Sequence, residues 1–152
     1  MAKFRCAPCR KCSAMKTPVF LLALIGIAVA CSSTNNKNVE LSKAMFDAFN
    51  RHDWKGMADY YESSAEFLDP SYGEEYVTRS QDQTATKYAE MQSAFPDIHD
   101  DVRGIYSDGD KVIVEFVSTG SSGDSIKFSL PIISVLTFKE GKIVRDATYY
   151  DQ

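Results

Sequence analysis

Runs of β-forming residues joined by tight turn signals fill the C-terminal third of the chain, and they constrain its fold more than any other feature. Val102–Tyr106 and Val112–Val117 flank the pair Asp108-Gly109. An Asp-Gly pair between such runs predicts a two-residue hairpin with a type I′ turn. Ile126–Phe138 and Lys142–Asp151 follow as two longer runs. The pattern therefore predicts a meander of long antiparallel strands.

The longest run, Ile126–Phe138, has apolar residues at both alternating sets of positions, which predicts a strand buried on both faces. Pro131 lies within it and cannot donate a ladder hydrogen bond, so it indicates either a bulge or a sheet edge. Lys139-Glu140-Gly141 supplies the turn into the last strand.

Helical patterns come earlier in the chain. Apolar residues at helical spacing over Val39–Asn50 predict a first amphipathic helix. Asp53 is placed to cap a second, short helix. Ala65–Asp69 is predicted to be a short strand that ends at an Asp-Pro pair.

A third helix is predicted to begin near Thr78 or Ser80 and to end before Pro96. Both Thr78/Gln81 and Ser80/Gln83 have the spacing of a capping box, so two starting points remain open. Helices followed by a strand meander predict an α+β fold. At 152 residues, 44% of them hydrophobic, the chain has room for one compact domain.

The N-terminal segment has the three parts of a secretory signal peptide. Residues 1–16 hold five basic residues and no acid, and Val19–Ala30 is an uncharged apolar stretch. That stretch is too short to span a bilayer, which needs ~20 residues. Ala28-Val29-Ala30-Cys31 resembles the lipobox of bacterial lipoproteins, in which the Cys becomes the N-terminus after cleavage and carries diacylglyceryl and a further acyl chain such as palmitate.

This resemblance implies a lipoprotein whose membrane anchor is Cys31. Ser32 after the Cys resembles the outer-membrane sorting pattern, which implies a chain in the bacterial cell envelope, held on the outer membrane and facing the periplasm. The alternative is an ordinary secretory peptide whose cleavage site happens to precede a Cys.

These features divide the chain into a signal peptide (1–30), a lipidated Cys with a flexible tether (31–38) and a folded domain (39–152). Met15 is a second candidate start, which would make residues 1–14 a mis-assigned extension. Cys6, Cys9 and Cys12 have the spacing of zinc or iron–sulfur ligands but lack a fourth Cys. Because cleavage would remove them, no metal site is expected in the mature domain.

Charge excludes one class of partner. Residues 31–152 hold 12 basic and 21 acidic residues, a formal charge of −9. Nucleic-acid affinity comes largely from Lys and Arg that neutralise phosphates, so no nucleic-acid partner is expected. His52 and His99 are the two histidines, and neither sits in a ligand pattern. We expect both on the surface, and no residue pattern calls for a cofactor.

Three motifs carry a family resemblance: AFNRHDWKGMADYY (Ala48–Tyr61), FPDIH (Phe95–His99) and GKIVRDATYYDQ (Gly141–Gln152). Together with the element order they resemble the SnoaL-like branch of the nuclear transport factor 2-like superfamily over residues 39–152. The resemblance implies a cone-shaped fold in which three N-terminal helices pack on a curved, mainly antiparallel sheet around a pocket.

The same resemblance suggests two carboxylates for catalysis. Asp69 lies in LDPSYG, which is similar to the segment of ketosteroid isomerases that holds the general base, though it could simply stabilise the Asp-Pro turn. Asp151 is similar in position to the acid/base Asp of SnoaL-type cyclases, though it could be a frayed terminal acid. The positions of the isomerase oxyanion donors fall on Met45 and near Ser134, which argues against steroid-type isomerisation.

Three functions stay open. The first is a membrane-anchored domain that binds a small apolar molecule in an aromatic pocket. The second is a cofactor-free cyclase, isomerase or dehydratase that uses Asp69 or Asp151 as base. The third is a non-catalytic structural homodimer. The aromatic residues expected to line a pocket are Trp54, Tyr61, Phe67, Tyr88, Phe95, Phe116 and Tyr149, each of which could equally belong to the core.

Overall fold

The computed structural model describes residues 25–123 and 126–151, with side chains from residue 36 onward. The helices precede the main run of strands, which confirms the α+β class. The elements are α1 (Ile25–Asn50), α2 (Trp54–Ala58), β1 (Tyr61–Leu68), a 3₁₀ turn (Pro70–Tyr72), β2 (Val77–Ser80), α3 (Gln81–Ala94), β3 (His99–Asp108), β4 (Lys111–Ser122), β5 (Ile126–Lys139) and β6 (Lys142–Tyr149).

The strands form one mixed sheet in the order β2-β1-β6-β5-β4-β3. Neighbouring strands are antiparallel except β1 and β6, which run parallel. The short strand β2 is absent from the predicted elements. Helix α1 packs against β3 and β4, and α3 packs against α2, β1 and β2. The helices therefore cover one face of the sheet.

The core fills the space between this face and the helices. Val112, Val114, Leu136 and Ile143 are fully buried on the sheet side, and Phe46 of α1 packs its ring edge-on against Phe116 of β4. Burial of each such side chain contributes about 1.5–3 kcal/mol relative to exposure. This packing holds α1 against the sheet.

Helix α1 is longer than the sequence predicts. Its described part runs from Ile25 through Cys31 and residues 32–38, where a flexible tether is expected, to Asn50. Residues 27–55 contain neither Pro nor Gly, so nothing in the backbone interrupts the helix. The predictions for residues 1–24, including those for Cys6, Cys9 and Cys12, concern residues outside the described part of the chain. No helix within 25–123 and 126–151 is long and apolar enough to cross a membrane.

Two predicted caps are confirmed. The Asp53 side chain accepts a hydrogen bond from the backbone N–H of Gly56 and starts α2. Ser80 and Gln83 form a complete capping box, so α3 begins at Gln81 rather than near Thr78.

The turns differ from prediction in type. The β3–β4 loop is Gly109-Asp110, and of these two residues only Gly109 has a positive φ, 60°. A positive φ at the first central position alone is the type II′ pattern, not the predicted type I′. Positive φ at both central positions occurs instead in the β5–β6 loop, at Glu140 (53°) and Gly141 (81°).

Strand β5 is buried on one face only, contrary to the prediction of two buried faces. Ile133 on its outer face is 43% exposed. The ladder to β6 stops at Ile133, which pairs with Tyr149, whereas Pro131 pairs only with Val117 of β4. Pro131 therefore lies where the strand has a local free edge, so no ladder bond is lost there.

A β-bulge in β6 changes which residues face the helices. Thr137 pairs with Arg145 and Phe138 pairs with Ile143, which leaves Val144 as an extra residue. Ile143 is fully buried, and beyond the bulge Asp146 is the next buried polar residue of the strand. The side-chain alternation of β6 is thus inverted between Ile143 and Asp146.

His52 joins three elements, although a surface position is expected for it. Its ring stacks on Trp54, its Nε2 lies 2.8 Å from the carbonyl oxygen of Ile98, and its Nδ1 lies 2.8 Å from Nε2 of Gln92. Gln92 Oε1 in turn accepts a hydrogen bond from Trp54 Nε1. The carbonyl requires a donor at Nε2, so the arrangement fits the neutral ring protonated at that atom.

We expect Gln92→Leu to lower the free energy of unfolding by about 1–3 kcal/mol, because it leaves buried Trp54 Nε1 and His52 Nδ1 without partners. Urea denaturation measures this. The matched control is Glu90→Leu at an exposed position of the same helix. Equal losses in the two variants would show that the network contributes nothing to stability.

Candidate functional site

A cavity of about 210 Å³ lies between the helices and the inner face of the sheet. Four predicted pocket aromatics line it: Tyr61, Tyr88, Phe95 and Phe116. Asp69 lines the cavity as well. Most of the other lining residues were not predicted from the sequence. They are Met45, Phe46, Phe49, Met57, Ser71, Lys87, Met91, Asp100, Ser118, Phe128, Leu130, Ile132, Ser134, Asp146, Thr148 and Tyr150. The walls are mainly apolar, and the polar groups come from β3 to β6, from α3 and from the turn after β1.

Three predicted pocket aromatics lie elsewhere. Trp54 is held between Phe49, His52 and Tyr88 at the α1–α2 corner. Phe67 is buried in the core beside Tyr61. Tyr149 is 52% exposed because the bulge turns it to the outer face.

Asp69 lines the cavity as predicted, but its carboxylate is fully engaged. It accepts hydrogen bonds from Lys87 Nζ (2.5 Å), the Ser71 backbone N–H (2.8 Å) and the Tyr150 hydroxyl (2.9 Å). Desolvation alone raises the pKa of Asp69, but Lys87 and Ser71 together outweigh it and hold the pKa below its ordinary value. The structure thus supports the turn-stabilising role, and it makes Asp69 a weak base.

Asp151 does not reach the cavity. It is exposed and lies with Pro131, Ile133 and Tyr149 on an outer groove. Regular alternation from buried Ile143 would turn Asp151 inward, but the bulge at Val144 inverts that alternation. The structure therefore gives Asp151 no place from which to act on a molecule in the cavity.

Asp146, rather than Asp151, is the carboxyl of β6 that lines the cavity. It is 6% exposed, and it accepts hydrogen bonds from the Tyr61 hydroxyl (2.7 Å) and the Thr148 hydroxyl (3.0 Å). Thr148 also lies 2.7 Å from the Ser134 hydroxyl. Desolvation raises the pKa of Asp146, and the Tyr61 and Thr148 hydrogen bonds offset only part of that rise.

Asp100 is the second buried carboxyl that sequence reasoning missed. Its backbone exchanges two 2.8 Å hydrogen bonds with the Asn50 side chain, which fixes the start of β3 against the end of α1. The side chain is 6% exposed, and its Oδ1 has no hydrogen-bond partner. Desolvation raises the pKa of Asp100, and a side-chain hydrogen bond with the cross-strand neighbour Ser118 offsets only part of this rise. The resulting pKa is about 7.

The three carboxyl groups face one volume. Tyr88 lies within the electrostatic influence of Asp69, Asp100 and Asp146, and together with burial they raise the pKa of its hydroxyl well above the ordinary value; burial is the largest cause. Among the described residues that line the cavity, Lys87 is the one cation, and it is bonded to Asp69. The cavity thus has two carboxyl groups without a cationic partner.

One sequence signal could have found these groups. Asp100 lies in register opposite Ser118 and Asp146 lies opposite Leu136, so both occupy inward positions of long β runs. A charged residue at the inward position of a strand is exceptional and indicates a site. Local alternation could place Asp100 in this way, whereas Asp146 also requires knowledge of the bulge.

No group of three or more His, Cys, Asp or Glu side chains suited to a metal ion occurs within residues 25–123 and 126–151. Asp69, Asp100 and Asp146 line one cavity without forming such a cluster.

A model of the SnoaL-like domain matches residues 42–146 of this sequence. This span covers most of the chain and includes α2, α3 and β1 to β5. The chain belongs to the SnoaL-like domain family. No curated protein matches the sequence at a significant level.

Solved structures with the same fold are similar over most of the domain. A protein of ketosteroid isomerase-like fold from Catenulispora acidiphila DSM 44928, in complex with trimethylamine, is 20% identical with a TM-score of 0.65, covering 74% of this chain and 85% of that chain. IdmH of Streptomyces antibioticus, a proposed polyketide cyclase, is 20% identical with a TM-score of 0.66, covering 75% and 91%. AclR of Streptomyces galilaeus, a proposed hydroxylase, is 19% identical with a TM-score of 0.66, covering 77% and 80%. At these identities the likeness establishes the nuclear transport factor 2-like fold.

The two positions assigned to oxyanion donors by the resemblance, Met45 and Ser134, both line the cavity. A thioether donates no hydrogen bond, and the Ser134 hydroxyl is already paired with Thr148. These two positions therefore do not supply the pair of acidic donors that steroid-type isomerisation needs.

The pKa of Asp100 predicts a pH dependence of stability. Between the ordinary Asp pKa and about 7 the folded protein holds a proton on Asp100 that the unfolded chain has released, so stability falls as the pH rises through this range. Asp100→Asn does not titrate. The difference in free energy of unfolding between Asp100→Asn and wild type should therefore shift in favour of the variant by about 2–3 kcal/mol between pH 5 and pH 8.

Urea denaturation at the two pH values checks this difference. Asp101→Asn, which removes an exposed carboxylate one residue away, is the control and should follow wild type. A constant difference between Asp100→Asn and wild type across the range would show that Asp100 has an ordinary pKa.

Proposed function

We propose that this domain binds a small, mainly apolar molecule that carries one polar group. The observation that supports it is the cavity, whose walls are mainly aromatic and aliphatic and hold a few polar groups. Small-molecule sites in proteins typically combine such walls with a few placed polar atoms. The trimethylamine held by the structural neighbour from Catenulispora acidiphila is consistent with a small guest in this fold.

Acid–base catalysis is a second candidate, and Asp100 is the observation that favours it. A buried carboxyl with a pKa of about 7 exchanges protons near neutral pH, which suits a general base or acid. The two carboxylates first considered for this role fit less well, because Asp69 is engaged by Lys87 and Asp151 lies outside the cavity.

A homodimer is a third candidate. Tyr106, Ile113, Ile133 and Tyr149 are exposed, and they lie on adjacent strands of the outer sheet face, where Tyr106 pairs with Ile113 and Ile133 pairs with Tyr149. An apolar patch of this kind favours contact with another protein surface.

Native mass spectrometry of the full chain, purified from its own host, tests these alternatives. We expect a small molecule to be retained by wild type and lost in Leu130→Trp, which fills the cavity from its partly buried rim. Ser129→Trp is the matched control, since Ser129 is exposed and points to the opposite face, and it should retain the molecule.

Other outcomes separate the candidates. A molecule that wild type converts and Asp100→Asn holds unchanged would establish the acid–base enzyme. A dimer without any bound molecule, unaffected by Leu130→Trp, would contradict small-molecule binding and support the structural role.

We also propose that the domain is anchored to the outer membrane through Cys31 and faces the periplasm. The support is the basic and apolar leader followed by Ala28-Val29-Ala30-Cys31. Among the side chains that the structure describes, packing against the core begins at Asn38 and Val39, so cleavage before Cys31 would remove none of these contacts. Two or more acyl chains make such an anchor stable.

Expression of the full chain in a Gram-negative bacterium with labelled palmitate checks the anchor. We expect label in wild type and in Cys12→Ser, and none in Cys31→Ser. Mass spectrometry should give a mature N-terminus at acylated Cys31. An unlabelled chain cleaved at another residue would show an ordinary secretory peptide.

A further inference from the structure

Acidic groups outnumber basic groups around the cavity, and this imbalance constrains the polar group of its ligand. Asp69, Asp100 and Asp146 line the cavity, against the single ammonium of Lys87 among the described lining residues. Lys87 Nζ lies 2.5 Å from Asp69 and is further held over the ring of Tyr72 at 4.3 Å. Lys87 is therefore already paired, and it attracts an anionic ligand only weakly.

The two remaining carboxyls differ in how well they are satisfied. Asp146 accepts hydrogen bonds from Tyr61 and Thr148, so both of its oxygens are occupied. Asp100 Oδ1 is buried and has no partner. A buried polar atom without a partner is energetically costly, so a donor or a positive charge brought beside it is stabilised.

The walls suit a cation as well. Phe46, Phe49, Tyr88 and Phe116 place aromatic rings around the cavity. An organic ammonium gains from ring faces and from carboxylates at once, and more so where water is excluded. The same carboxylates would repel an anion.

We propose that the cavity selects a small organic ammonium ion, with its alkyl groups on these rings and its positive nitrogen beside the Asp100 carboxyl. The inference rests on the proposed small-molecule site and names the chemical class of its ligand. A neutral molecule with a carbonyl group is the competing guest, because a protonated Asp100 would donate to it.

Two probes of equal shape separate charge from apolar fit: choline and its neutral carbon isostere, 3,3-dimethylbutan-1-ol. Binding to the full chain is measured by saturation-transfer NMR and calorimetry at pH 8, where the Asp100 carboxyl is mainly ionised. We expect choline to bind about tenfold more tightly than the alcohol.

Asp100→Asn keeps the shape of the side chain and removes its charge, so the preference for choline should fall to about twofold or less. Asp101→Asn makes the same change in net charge at an exposed neighbour and should keep the full preference. Thermal unfolding of each variant verifies that it is folded.

The outcomes distinguish this inference from the function on which it rests. If the alcohol binds as tightly as choline, or if Asp100→Asn keeps the preference, the cation inference is overturned while small-molecule binding stands. If neither probe binds at millimolar concentration, and Leu130→Trp retains the same molecules as wild type in native mass spectrometry, both the proposed site and the inference are overturned.

Discussion

The bulge at Val144 decides which side chains meet in the interior, and the rest of the site depends on it. With regular alternation from buried Ile143, Arg145 would point inward, and an unpaired guanidinium in the core would be very costly. The extra residue instead turns Arg145 outward, where it forms an ion pair with Glu66 at 2.5 Å, and turns Asp146 inward. One backbone irregularity thus exchanges a cation for a carboxyl in the cavity.

Small side chains on the inner face of the sheet help to leave the cavity open. Val112, Leu136 and Ile143 are fully buried in the core. Further along β4 and β5, the small inward residues Ser118 and Ser134 line the cavity, with the larger pair Phe116 and Ile132 between them. Interiors are otherwise close-packed, so small inward residues leave room for a guest.

Asp100 has one buried carboxyl oxygen, Oδ1, without a hydrogen-bond partner, while two hydrogen bonds from the Asn50 side chain hold the backbone of the same residue in place. Departures of this kind from good packing and full hydrogen bonding concentrate at functional sites. Asp69 shows the opposite condition, because its ion pair and hydrogen bonds fix the 3₁₀ turn at the cavity wall. The two acids have the same chemistry in sequence and different roles in the fold.

The sequence alone determined the α+β class, the caps at Asp53 and Ser80 and the family motifs, because these depend on residues close together in the chain. It also placed Asp69, Tyr61 and Phe116 at the site. Only the tertiary structure decided that Asp146 rather than Asp151 faces inward, that Oδ1 of Asp100 is left without a hydrogen-bond partner, and that His52 joins Trp54, Gln92 and Ile98. The physical reason is that the bulge depends on how β6 pairs with β5, and that the interior hydrogen bonds of His52 and Tyr61 join groups 40 or more residues apart in the chain, whose meeting no local pattern specifies.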